Sequence, residues 1–247
     1  MPNGMPENPQ WHRLETGGAA AFWSLFLAAV SVFHLGLFLT RKIAAYGTLV
    51  QAASYFQLAA INTTLILFFE VSFSLLFLSF LGVSFSKILR MFFELHELYR
   101  KLLAGAIAGI LLFVVTGIVY RVNVYGLAGI SGVSVFFKYP EFPVLLGRIL
   151  KHLTLPLGEE LFFRGVLFTM LSLRLSVAKA LILSSLLFSA SHLNLAKSFS
   201  EEEFVRYIGF FLNGCAYCLL FKKYKNLFPS IAAHSMYNLL TSLFYLK

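Results

Sequence analysis

The chain has 247 residues, of which 59% are hydrophobic and only 13% charged, with 28 Phe. A soluble domain carries about 25% charged residues, so this composition excludes a water-soluble core and describes a polytopic membrane protein. The formal net charge of +9 is read as loop Lys and Arg that set topology and meet anionic headgroups, with no nucleic-acid partner.

Residues 1–18, MPNGMPENPQWHRLETGG, are polar and rich in Pro and Gly, and are expected to form a disordered tail. Ala19 to Thr40 carries no charge and is stopped by Arg41-Lys42. It exceeds the apolar core of a signal peptide and reads as a retained span. Further apolar stretches follow at about 58–82, 102–120, 144–173, 178–196, 204–221 and 228–246, judged at about 20 residues per span. The stretch at 144–173 is too long for one straight span. Pro156 is expected to interrupt it. The predicted fold is therefore an all-α, polytopic transmembrane helical bundle of seven to eight spans. It divides into N-terminal spans over 19–140 and a helical core over 141–247. Residues 85–101, FSKILRMFFELHELYRK, place apolar and charged groups at helical spacing and predict an amphipathic interfacial helix. Loop charges favour a cytoplasmic N-terminus.

Six polar residues stand inside the apolar stretches of the second half. They are Glu159, Glu160 and Arg164 in GEELFFRG, His192 in FSASH, and His234 with Asn238 in HSMYN. An ionisable group at membrane depth costs roughly 2.5–3.5 kcal/mol on insertion scales and faces a cavity or a partner. Glu160 and Arg164 are four apart on one helix face and predict an ion pair. Glu160 is expected to turn away from the reactive cavity to meet Arg164. Glu159 points about 100° away from Glu160. It shares a side with Phe162 and Phe163, and a carboxylate set there without an intrahelical partner suits a general base. His234 and Asn238 are also four apart. They offer an imidazole and an amide able to donate to a developing oxyanion. With Glu159 and His192 they form the expected catalytic set, and all four are expected to converge on one cavity. On these span boundaries His192 and His234 differ by about 13 Å in depth, so their meeting requires a staggered or tilted helix.

Other polar groups read as structural. His34 and His152 are single histidines on apolar helices, and Glu70 reads as a hydrogen-bonding residue of the second span. Cys215 and Cys218 form a lone C-x-x-C, read as apolar filler and not a zinc or redox motif. The chain has no H-E-x-x-H and no G-x-S-x-G, which excludes the zincin and nucleophile-elbow patterns. What remains can activate water, directly or through a metal, for attack on a carbonyl.

E-E-x-x-x-R (Glu159, Glu160, Arg164), F-x-x-x-H (Phe188 to His192) and H-x-x-x-N (His234 to Asn238) resemble, in order and spacing, the signatures of the CAAX prenyl protease and bacteriocin-processing family. The resemblance covers about residues 140–247. It implies an intramembrane endopeptidase in which Glu159 and His192 activate water, His234 and Asn238 hold the oxyanion, and Glu160 with Arg164 form a supporting ion pair. It implies a peptide or protein substrate at the lipid bilayer, of CAAX or bacteriocin type, and a multi-pass protein of a bacterial plasma membrane. No metal is required in the favoured form. If zinc is present, Glu159, His192 and His234 would be its ligands. The competing functions are a transporter, whose paired broken helices and repeat symmetry are not apparent here, and a non-enzymatic bacteriocin immunity protein.

Overall fold

The computed structural model of the protein describes residues 18–49, 55–126, 135–137, 142–192 and 200–246. The expected tail at 1–18 lies almost wholly outside these residues. The described chain is helical apart from one short strand pair. Its elements are α1 (Ala19–Leu49), α2 (Tyr55–Phe80), α3 (Phe85–Phe92), α4 (Leu98–Tyr125), β1 (Val135–Phe137), α5 (Phe142–Glu160), a π-helical segment (Leu161–Phe168), α6 (Thr169–Arg174), α7 (Val177–Ser191), α8 (Glu201–Tyr224), α9 (Phe228–Leu243) and β2 (Phe244–Leu246). β1 and β2 pair antiparallel, with Phe136 opposite Tyr245.

Among the described residues, four helices are long and apolar enough to cross a membrane. They contain Ala19–Gly36, Thr63–Phe80, Leu98–Asn123 and Glu203–Tyr224. Large apolar side chains such as Leu35, Phe68, Leu76 and Leu111 project outward from these helices. In water such a surface would be a liability; in a bilayer it faces the solvent that suits it. The chain is an integral membrane protein with an all-helical bundle. Four of the described helices meet a length and hydropathy criterion; α7 and α9, at 15 and 16 residues, are shorter than it asks, and α5 carries Arg148, Lys151, Glu159 and Glu160.

Two local expectations are revised. The segment at 85–101 is not one amphipathic helix: a short helix covers Phe85–Phe92, where Ile88 and Phe92 face inward, and helix resumes only at Leu98. Glu97 then adopts a left-handed conformation and α4 starts at Leu98. Pro156 does not break its helix. α5 continues through it, although Pro cannot donate to the carbonyl four residues back. The irregularity falls instead on the following turns, which widen into the π-helical segment. Two carbonyls of that segment accept from hydroxyls: Thr169 Oγ1 donates to Arg164 O (3.0 Å) and Ser184 Oγ on α7 to Phe163 O (3.0 Å). Side-chain hydroxyls that take up freed carbonyls are what make such irregular turns tolerable in an apolar interior.

α9 packs against α4, α5 and α8. Its approach to α4 is at backbone distance, because Gly105 and Gly109 stand one turn apart on the facing side. A Cβ on Gly105 would lie 2.7 Å from Ala232 Cβ, and one on Gly109 would lie 2.5 Å from Ala233 O and 2.8 Å from Met236 Cβ. Small residues at this spacing let membrane helices close up. The start of α9 is also pinned. Asn226, fully buried, accepts from Phe228 N (2.9 Å) and donates to Glu94 O (2.9 Å), while Leu227 N donates to Phe92 O (2.9 Å). The main core is aromatic. Phe33 of α1 stacks on Phe162 of the π-helical segment at 3.4 Å, and Phe163 meets Phe188 of α7 edge-on at 5.2 Å.

Candidate active site

The end of α5, the end of α7 and the first turns of α9 meet at one point, and the side chains there are Glu159, Glu160, His192 and His234. Glu160 and Arg164 are both 0% exposed, and Arg164 Nη1 donates to Glu160 Oε1 at 2.9 Å. The same carboxylate oxygen accepts from His234 Nδ1, also at 2.9 Å. Glu160 is therefore not turned away from the site. One fully buried carboxylate binds both the guanidinium and the imidazole, because α9 is brought close enough for His234 to reach α5. Arg164 extends further: its Nη2 donates to Gly214 O on α8 (3.1 Å). Its guanidinium lies over the rings of Phe188 (4.6 Å) and Tyr217 (5.1 Å). A buried cation is held here by a carboxylate, a carbonyl and aromatic faces, which replace part of its hydration, while its Nε has no hydrogen-bond partner.

Both imidazoles are fixed in the same way, by an acceptor on Nδ1 and by aromatic rings on either side. His192 caps α7. Its Nδ1 donates to Phe188 O at 2.9 Å, one turn back. Its ring lies 4.8 Å from Phe188 and 4.3 Å from Phe210. His234 Nδ1 is committed to Glu160, and its ring stacks on Tyr217 at 4.9 Å and meets Phe188 edge-on at 5.6 Å. With Nδ1 donating, the remaining nitrogen of each ring is Nε2.

Both Nε2 atoms turn to one oxygen. Glu159 Oε2 lies 3.6 Å from His234 Nε2 and 4.0 Å from His192 Nε2. This oxygen is buried and has no hydrogen-bond partner, while the Glu159 side chain as a whole keeps 14% exposure. The separations are too long for direct hydrogen bonds, and a small polar molecule between the three atoms would complete them. The depth difference expected between the histidines is absorbed by stagger. α7 and α9 begin at 177 and 228, almost where the spans were predicted, so α9 sits deeper than α7 along the bundle.

Asn238 lies one turn beyond His234, half buried. Its carbonyl accepts from Thr241 Oγ1 (3.0 Å), and no contact joins its side chain to Glu159, His192 or His234. Glu70, on α2, is fully buried against α5, where a Cβ on Gly158 would lie 2.6 Å from its own Cβ. It adjoins the site through the backbone next to Glu159. His34 Nδ1 donates to Val30 O (2.8 Å), the local bond of a structural histidine. His152 lies on α5 and is within electrostatic reach of His234 and Arg148. Cys218 is buried and Cys215 half buried, and both are free thiols.

Among the described residues, no group of three or more His, Cys, Asp or Glu side chains is disposed to hold a metal ion. The two Nε2 atoms stand 3.6 and 4.0 Å from Glu159 Oε2, and no step below is routed through a metal. Several residues of the site carried no sequence signal. Phe210, Asn213, Gly214 and Tyr217 lie on α8, in the apolar run FFLNGCAYC, and belong to no spaced motif. Gly105 and Gly109 do carry a signal, a G-x-x-x-G pair in an apolar span.

No curated protein and no solved structure matches the chain. A family model, described as type II CAAX prenyl endopeptidase Rce1-like, matches residues 141–240. That segment holds α5, the π-helical segment, α6, α7, α8 and most of α9, and with them every side chain drawn together around Glu159. Over residues 141–240, a little under half of the chain, the protein is similar to the Rce1-like family of type II CAAX prenyl endopeptidases.

Proposed function

We propose that the protein is an intramembrane endopeptidase that hydrolyses a peptide bond of a membrane-associated, lipidated substrate with water activated at Glu159. The observation that carries this reading is the buried Glu159 Oε2, which lacks a hydrogen-bond partner and stands 3.6 and 4.0 Å from two imidazole Nε2 atoms. A water seated there gives one proton to Glu159 while His192 Nε2 accepts its second hydrogen and aims its lone pair. The oxygen adds to the scissile carbonyl carbon. The oxyanion that forms accepts from His234 in its doubly protonated form, whose Nδ1–H stays on Glu160, and from the Asn238 amide one turn along. As the carbon–nitrogen bond breaks, Glu159 returns its proton to the leaving amine. The charges support this division. Two carboxylates, Glu159 and Glu160, face one guanidinium, Arg164, and the imidazolium that this step requires at His234 is the second positive charge of the set. Isolated charge is costly in a dry interior, so a balanced set is the stable one.

The substrate class of this proposal is a prenylated peptide of CAAX type, since the family's description names that activity. The test is cleavage of a synthetic peptide carrying a farnesylated Cys followed by three residues and a free carboxylate, by the purified protein in lipid nanodiscs. Mass spectrometry should find a single new terminus after the modified Cys, and no cleavage of the unprenylated peptide at the same concentration. An intact prenylated peptide after prolonged incubation with folded protein contradicts the assignment.

A further inference from the structure

Asn213 has no part in the chemistry above, yet it is built into the same site. It lies on α8 one turn after Phe210 and one turn before Tyr217, so the three share a helix face about 60° wide. The Phe210 ring rests 4.3 Å from that of His192, and the Tyr217 ring stacks 4.9 Å from that of His234. Asn213 therefore stands at the level between the two imidazoles that flank Glu159. The next residue fixes that level. Gly214 O accepts from Arg164 Nη2 (3.1 Å), and a Cβ on Gly214 would lie 3.0 Å from Ser185 Cβ. α8 is thus seated against α7 and the buried guanidinium, with no freedom to slide.

The side chain is 2% exposed, and its Oδ1 has no hydrogen-bond partner. Leaving a buried amide oxygen unpaired is destabilising, and native proteins rarely do so without a reason. An apolar residue at this position would leave no polar atom unpaired. A carboxamide carries a donor and an acceptor side by side. That is the complement of a peptide group, which also offers one of each.

Building on the endopeptidase function proposed above, we infer that Asn213 is a substrate-backbone clamp. Its carboxamide hydrogen-bonds a peptide group of the substrate next to the scissile bond and holds the chain between the imidazoles at Glu159. The bond is made to a neutral group that changes little during reaction, so it stabilises the bound substrate and the transition state alike. Such uniform binding is expressed in KM and not in kcat.

The experiment uses the full chain in nanodiscs and the farnesylated peptide of the previous section. Asn213→Leu keeps the branched outline and the number of heavy atoms and removes both hydrogen-bonding groups. Its KM should rise about tenfold, with kcat changed less than about threefold, as for loss of one or two neutral hydrogen bonds. Its melting temperature should equal or exceed that of the wild type, because the unpaired buried amide is gone. Asn213→Gln, which keeps the carboxamide, should recover part of the loss in KM. In the Glu159→Gln background, where the peptide is bound without being cut, fluorescence anisotropy should show about tenfold weaker binding on adding Asn213→Leu. An unchanged KM overturns the clamp. So does a fall in kcat alone, or a loss of activity accompanied by a lower melting temperature. Undiminished cleavage by Glu159→Gln overturns instead the endopeptidase mechanism on which the clamp rests.

Discussion

Glu160 serves two partners with one oxygen, and only one of them was legible in the sequence. The four-residue spacing to Arg164 announces itself on any helix, and the ion pair is present at 2.9 Å. The contact to His234 joins residues 74 positions apart. It exists because α9 is driven onto α4 and α5, which spacing within one helix cannot reveal. Asn213 and Tyr217 were invisible for a related reason. Asn213 and Tyr217 are four apart, but a neutral Asn–Tyr pair in an apolar run announces no chemistry, and its meaning comes from which imidazole the helix face meets. The ion pair makes a firm prediction. Arg164→Ala leaves the buried Glu160 carboxylate with His234 as its one remaining partner among the described residues, and removing one member of a buried pair costs about 3–5 kcal/mol. The detergent-solubilised variant should melt well below the wild type. A variant that melts like the wild type contradicts the pairing.

At the scale of elements, the register of α9 decides whether His234 reaches Glu159 at all. Two features set it: the Asn226 anchor at its start and the two glycines of α4 along its length. Gly109→Leu would place a branched side chain where even a Cβ meets Ala233 O and Met236 Cβ. Overpacking of this kind costs about 1–3 kcal/mol. The displaced α9 should also lower peptidase activity at least tenfold, as small misplacements of catalytic groups do. Wild-type activity in Gly109→Leu would show that the α4 contact does not set the site. The helices themselves were largely readable from apolar run length, and their ends fell within a few residues of expectation for α7 and α9. Pro156 was misjudged. The rule that proline breaks a helix assumes water or nothing at the freed carbonyl. Here the helix runs on through the proline, and the irregular turns lie further along, in a π-helical segment two of whose carbonyls are met by Thr169 and Ser184.

Across the whole molecule, the bundle divides labour. The N-terminal helices α1 and α2 pack an aromatic wall against the π-helical segment and present apolar side chains outward. The reactive groups are confined to the segment between α5 and α9. This division was visible in composition, since the charged and amide residues of the apolar stretches cluster after residue 150. The spatial order of the helices was not, because apolar spans carry no label for their neighbours. The account also predicts metal content. Water activated by Glu159 between two imidazoles calls for no metal, so purified active protein should hold far less than one equivalent by elemental analysis. Chelators should then leave the cleavage rate within about twofold, much less than the loss expected when a metal that generates the nucleophile is removed. One bound equivalent, with activity lost to chelator and restored by zinc, would contradict this and make Glu159, His192 and His234 ligands.

The central claim is that the carboxylate of Glu159 activates water between His192 and His234. It is tested most directly by Glu159→Gln, which keeps the shape and removes the basic oxygen. Cleavage of the farnesylated peptide should be measured together with the melting temperature. The account predicts a fall in kcat of about 10²–10⁴-fold, the usual worth of a general base. The melting temperature should stay close to that of the wild type, because Glu159 Oε2 has no hydrogen bond to lose. A variant that keeps more than about a tenth of wild-type activity, or that loses activity only by unfolding, would contradict it.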